Sequence, residues 1–206
     1  MLPAGFRLCP KVAHMIPSLI LTLKSDREHR LHLLLQRGCF ISLAAGDTLM
    51  DFLCSLPGFD RQYVLDRVQT IFVNGRAEDD LERPLMAGDS LSVSGPMPGL
   101  AGAIFRRESR HDSLRTRSRP SRPRHPARQR EIFLKLFNVI AAEKGAALLA
   151  RGVVFKGTTL ARAFDRQAEL LRPLVREAML NGSPLEYAAL AAESGQHERI
   201  FLQVRG

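Results

Sequence analysis

Leu34-Leu35-Gln36-Arg37-Gly38-Cys39-Phe40-Ile41 returns in the second half of the chain as Leu148-Leu149-Ala150-Arg151-Gly152-Val153-Val154-Phe155. One matched octapeptide is weak. Four further landmarks accompany it in the same order. An alternating apolar run precedes each copy, Leu19-Ile20-Leu21-Thr22-Leu23 and Ile132-Phe133-Leu134-Lys135-Leu136. Thr48-Leu49 and Thr159-Leu160 then open a helical stretch. Thr70-Ile71-Phe72-Val73 and Glu177-Ala178-Met179-Leu180 each run into Asn-Gly, at Asn74-Gly75 and Asn181-Gly182. Leu91-Ser92-Val93 and Ile200-Phe201-Leu202-Gln203-Val204 close the copies. Duplication explains five ordered landmarks better than chance does.

The repeated unit reads strand, strand, helix, strand, strand. Asp47 or Thr48 can offer a side-chain oxygen to the free amides of the first helical turn. Leu49, Phe52, Leu53 and Leu56 then share one face at helical spacing. In the second copy Leu160, Phe164, Leu170 and Leu171 make the stripe, and Pro173 limits it. Asn-Gly after an apolar run is a tight-turn signal, because both residues tolerate positive φ. A small mixed sheet wrapped on one helix is the compact solution for such a unit.

The script resembles the β-grasp fold, and the first copy is similar to the MoaD/ThiS family of ubiquitin-like sulfur carriers. The residues that carry the resemblance are Leu56-Pro57-Gly58, Asp66-Arg67-Val68, Ile71-Phe72-Val73-Asn74-Gly75 and Leu85-Met86-Ala87-Gly88-Asp89-Ser90-Leu91, with the glycines up to Gly102. At Gly88-Asp89 the glycine permits a sharp reversal, and Asp can bond its own backbone before the last strand. The second copy has Ser194-Gly195-Gln196 at the equivalent place. The expected fold is therefore α+β, two tandem β-grasp domains.

The resemblance implies carrier chemistry on a free C-terminal Gly-Gly, with an adenylating or sulfur-transfer enzyme as partner. Here Gly99 and Gly102 are separated, and the chain runs on to Gly206. A carboxylate at Gly102 would require cleavage. The leading expectation is a non-enzymatic protein-interaction module that holds a protein partner through Gly95, Met97, Pro98, Gly99, Leu100 and Gly102. A sulfur-carrier precursor of molybdopterin or thiamine type, matured by cleavage near Gly102, is the alternative.

The formal charge is +9, but ten Arg against Glu108 and Asp112 place +8 of it between Arg106 and Arg130. This Arg/Ser/Pro-rich segment has a single Leu and cannot bury enough surface to offset the entropy of ordering. It reads as a disordered linker. Arg115, Arg117, Arg119, Arg122 and Arg124 are its candidates for electrostatic contact with nucleic acid or another polyanion. No aromatics interleave with them to stack bases. An RNA-associated β-grasp protein is thus a third reading. The domains expected are a leader at 1–14, a sulfur-carrier-like β-grasp domain at 15–105, the linker at 106–130 and a divergent β-grasp domain at 131–206.

Cys9, Cys39 and Cys54 are odd in number and form no C-x-x-C pair, which suits reduced thiols in a cytoplasmic protein. His29 and His32 find no partner cluster for zinc. Glu78, Asp79, Asp80 and Glu82 read as a solvated acidic loop. No catalytic, cofactor-binding or metal-ligating set emerges, and no apolar run reaches the length of a membrane span.

Overall fold

The structure, a computed structural model, describes residues 16–24, 31–115 and 130–206. The leader expected at 1–14 and the linker residues 116–129 lie outside the described residues. The architecture is mixed α/β. Its strands in chain order are β1 (Ser18–Leu23), β2 (Cys39–Ser42), β3 (Thr70–Val73), β4 (Arg76–Ala77), β5 (Ser90–Ser94), β6 (Glu131–Phe137), β7 (Val153–Lys156), β8 (Val175–Leu180), β9 (Ser183–Pro184) and β10 (Arg199–Arg205). The helices among the described residues are α1 (Leu33–Arg37), α2 (Leu49–Ser55), α3 (Arg61–Arg67), α4 (Gly99–Phe105), α5 (Asn138–Arg151), α6 (Gly157–Arg166), α7 (Ala168–Leu171) and α8 (Leu190–Gly195). None is long and apolar enough to cross a membrane.

The two small sheets expected from the repeat are instead one ten-stranded sheet, ordered β4-β3-β5-β6-β2-β7-β10-β1-β8-β9. It divides into two five-strand halves of the same pattern. β4-β3-β5-β6-β2 has the same sequence of parallel and antiparallel neighbours as β9-β8-β1-β10-β7. The halves meet where Phe40 faces Val154, between β2 and β7. The structural equivalences differ from those of the repeat in one respect. β1 takes the place that β5 holds in the other half, and β10 takes the place of β6. Each half therefore contains a strand from the other end of the chain.

Alternation decides what each strand buries. Leu19, Leu21 and Leu23 on β1, and Ile132, Leu134 and Leu136 on β6, point into a single core with all helices except α4. The opposite face carries a smaller apolar cluster of Phe133, Phe40 and Val154, with Phe201 packed against it. These four are register partners across β6, β2, β7 and β10. Burying a large apolar side chain contributes about 1.5–3 kcal/mol, so both faces contribute to stability.

The repeated octapeptide explains itself in this setting. It is the end of a helix, a glycine and the start of a strand. Gly38 and Gly152 sit at φ +95° and +94°, a backbone conformation that side chains avoid. A methyl at Gly38 would fall on the ring of Phe133, and one at Gly152 on the ring of Phe201. The local geometry and the neighbour are therefore duplicated together. The Asn-Gly turns also match: Asn74, Gly75, Asn181 and Gly182 all have positive φ. Oδ1 of Asn74 accepts from the Ser90 amide at 2.9 Å, and Oδ1 of Asn181 accepts from the Ser18 amide at 2.9 Å.

Several local expectations held. Thr48 caps α2 in a full capping box with Asp51, and Leu49, Phe52, Leu53 and Leu56 are buried. Others did not. The first two strands of each unit are not joined directly, since α1 and the fourteen-residue α5 lie between them. Leu170 is 48% exposed, because the helix breaks between Arg166 and Ala168 and the short helix that follows turns Leu171 inward, which leaves its neighbour facing out. Ser194 and Gly195 belong to α8 rather than to a turn. The acidic loop is ion-paired, with Glu78 on Arg83 at 2.9 Å and Asp79 on Arg115 at 2.8 Å. Residues 106–115 are folded against the body and are not part of a free linker.

Candidate functional site

The segment that follows β5 carries the six residues expected to hold a protein partner. It is a strap with a short helix in it, pinned to the body at four points. Gly95 is the first. It is buried where the chain leaves the sheet, and any side chain there would strike Val139 at the start of α5. Pro96 and Pro98 then restrict the backbone, and Pro98 stands as the extended cap before α4. Gly99 opens the helix at φ +71°. Gly102 is buried because α4 folds back over the carbonyl of Met97, with no room for a Cβ.

Phe105 is the second pin. Its ring centroid lies 5.3 Å from that of Phe72, on the sheet face opposite the main core. Arg107 is the third. Its amide donates to the Gln69 carbonyl at 2.7 Å, and its guanidinium donates to the carbonyls of Val68 at 2.9 Å and Leu65 at 3.1 Å. These carbonyls end α3, where a helix leaves acceptors unsatisfied and carries partial negative charge. A cation there satisfies both needs. Burial lowers the pKa of the Arg107 guanidinium from its ordinary value. Arg115 is the fourth pin. Besides its ion pair with Asp79, it donates to the carbonyls of Ile104 at 2.9 Å and Arg106 at 2.6 Å.

Between the pins, two apolar side chains face outward. Leu100 on α4 is 72% exposed, and Leu114 in a single 3₁₀ turn at Asp112–Leu114 is 63% exposed. A polar cleft lined by Leu65, Asp66, Gln69, Arg106, Arg107 and Glu108 opens beside the strap. Of the six residues expected to hold a partner, Pro98, Gly99 and Leu100 are exposed, Met97 is half-buried, and Gly95 and Gly102 are buried. Of the five arginines expected to meet a polyanion, Arg115 is already engaged with Asp79. Arg117, Arg119, Arg122 and Arg124 lie outside the described residues.

Sequence reasoning missed Phe105 and Arg107 as anchors. Phe105 had a weak signal, being the last large apolar residue before the basic run. Arg107 had none, since it is one of ten similar arginines.

A second polar cluster joins α3 to α5. The Tyr63 hydroxyl donates to Glu143 at 2.8 Å, Arg67 donates to the other carboxylate oxygen, and the Lys144 ammonium lies 3.8 Å from the Tyr63 ring centroid. Hydrogen bonds from Arg67 and Tyr63 hold the Glu143 pKa below its usual range. Burial, with Glu143 beside it, pushes the Tyr63 phenol well up. This cluster bridges α3 and α5. On the helix-poor face of the sheet, Arg199 pairs with Glu131 at 2.6 Å and lies over Phe40. Among the described residues, no three His, Cys, Asp or Glu gather as a metal site would require. Cys39 is buried, and burial raises its thiol pKa far above the ordinary range, so the thiolate is strongly disfavoured.

No protein-family model matches the chain, and comparison with curated proteins and with solved structures finds no similar one.

Proposed function

We propose that the chain is a non-enzymatic protein-interaction module of β-grasp descent, and that the strap after β5 is its contact. The observation that supports this is Leu100: it is 72% exposed on a helix held from both sides. A large apolar group presented on a pinned backbone costs little ordering when it enters a partner's pocket. The mixed five-strand halves, with helices packed on one face, support the β-grasp relation. An adenylating or sulfur-transfer enzyme is the partner class that the resemblance suggests.

The test is the substitution Leu100→Asp, which removes the anchor while leaving the core alone. Proteins captured from the native cell by the unsubstituted chain should be lost from the Leu100→Asp chain, at unchanged thermal stability. Retention of the same partners would sink the proposal. The carrier-precursor reading requires a free carboxylate at Gly102, which is buried inside α4. The intact mass of the protein from its native cell separates the two. Full-length chain agrees with an interaction module, and a product ending at Gly102 agrees with a carrier.

A further inference from the structure

The strand order has a consequence for the covalent chain that is independent of what the strap binds. β6 lies between β5 and β2, parallel to β5 along Phe133–Phe137 and antiparallel to β2 along Glu131–Leu134. β1 lies between β10 and β8, parallel to the former and antiparallel to the latter. The N-terminal part of the chain thus contains a strand-wide gap filled from the C-terminal part. The C-terminal part contains one filled from the N-terminal part.

We propose that the two parts are interlocked, so that a chain cut between β5 and β6 remains one particle. Ile132, Leu134 and Leu136 face the core and are fully buried, while the backbone satisfies ladders on both sides. Removing β6 would open the hydrogen-bonding edges of two strands and the core beneath them. Leu19, Leu21 and Leu23 of β1 are equally buried in the other half. Separation into fragments would therefore open both halves at once.

The interlock bears on any processing near the strap. A cut at Gly102 would not free residues 1–102, because β1 would still be clasped between β10 and β8.

The experiment uses the full chain with a site-specific protease sequence inserted after Arg115, and the pair Ile20→Cys and Met179→Cys. These two positions are antiparallel register partners on β1 and β8. Neighbouring strands bring such partners within disulfide reach. After cleavage, the expected result is one particle at the intact elution volume in native buffer, resolved into two pieces only by denaturant. The oxidised chain with both substitutions should run as a single band on a non-reducing gel after cleavage, and the chain with Met179→Cys alone, where only the native Cys9, Cys39 and Cys54 could join the pieces, as two. Separate elution in native buffer would overturn the proposal. So would two bands from the oxidised double-cysteine chain, which would mean that β1 and β8 are not neighbours even where the pieces stay together.

Discussion

The side-chain amide of Asn74 donates to the carboxylate of Asp89 at 2.6 Å, and both residues are 2% exposed. The two ends of this contact are the Asn-Gly turn after β3 and the Gly-Asp turn before β5. The other Asp89 oxygen accepts from the Met86 amide at 2.9 Å. The two turns are thereby locked at the mouth of the β3–β5 ladder. Removing the carboxylate takes a charged acceptor from the buried Asn74 side chain and from the Met86 amide, and bonds to a charged group are worth more than neutral ones. Asp89→Ala is expected to destabilise the fold by about 2–3 kcal/mol in urea denaturation. Asn181→Gly, which removes one bond to the Ser18 amide at an exposed site and tolerates the positive φ there, should cost about 1 kcal/mol. Equal losses would show that the two turns are held alike.

Gly38 and Gly152 are restricted twice, by backbone angle and by an aromatic ring. Gly38→Ala and Gly152→Ala should each cost about 3 kcal/mol. The two contributions can be separated. Gly38→Ala combined with Phe133→Ala removes the collision but keeps the unfavourable φ. The coupling energy between these substitutions should therefore be favourable, and a strictly additive double variant would count against the collision.

Arg107 and Arg110 are three residues apart and carry the same charge, yet only Arg107 ends α3. Arg107→Ala should lower stability by about 1–2 kcal/mol and speed amide hydrogen exchange through residues 95–115. Arg110→Ala, on an exposed side chain, should stay within about 0.5 kcal/mol of the parent. If Arg110→Ala were the more damaging, the helix-capping role of Arg107 would be wrong.

The clamp between α3 and α5 has a pH signature. Because the pKa of Glu143 is held down in the folded state, its contribution is fully present above the unfolded carboxylate value of about 4.3. It is lost as pH falls through the lower folded value. The difference in urea midpoint between the parent and Glu143→Gln should therefore be largest near neutral pH and shrink in acid. A difference that grows in acid would contradict the direction of the shift.

The strands were legible because alternation shows itself in few residues. Leu19, Leu21 and Leu23 announce one buried face, as do Ile132, Leu134 and Leu136. The same simplicity hid the exchange between halves. Alternation identifies which side chains turn inward but does not name the neighbouring strand, and β1 and β6 carry nearly interchangeable patterns. α5 was missed for a different reason. Its inward face includes Ala141 and Gly145, which are too small to mark a helical period, so only Leu148 and Leu149 at its end were noticed. That the glycine-containing segment is a strap was not legible, because its anchors lie beyond the glycines. Arg107 resembles every other arginine of the basic run until the end of α3 is placed beside it.

The outermost strands, β4 at Arg76–Ala77 and β9 at Ser183–Pro184, are each only two residues long. A ten-stranded sheet with long edges would invite further chains to join it, and growth without limit would follow. Here both borders offer almost no ladder, and Pro184 removes a donor from one of them. The Asn-Gly turns lie immediately before these borders, so the duplicated turn that shapes each half also ends the sheet on its own side. Each margin thus gives a joining chain only a two-residue strand to pair with, which limits growth of the sheet by its outermost strands.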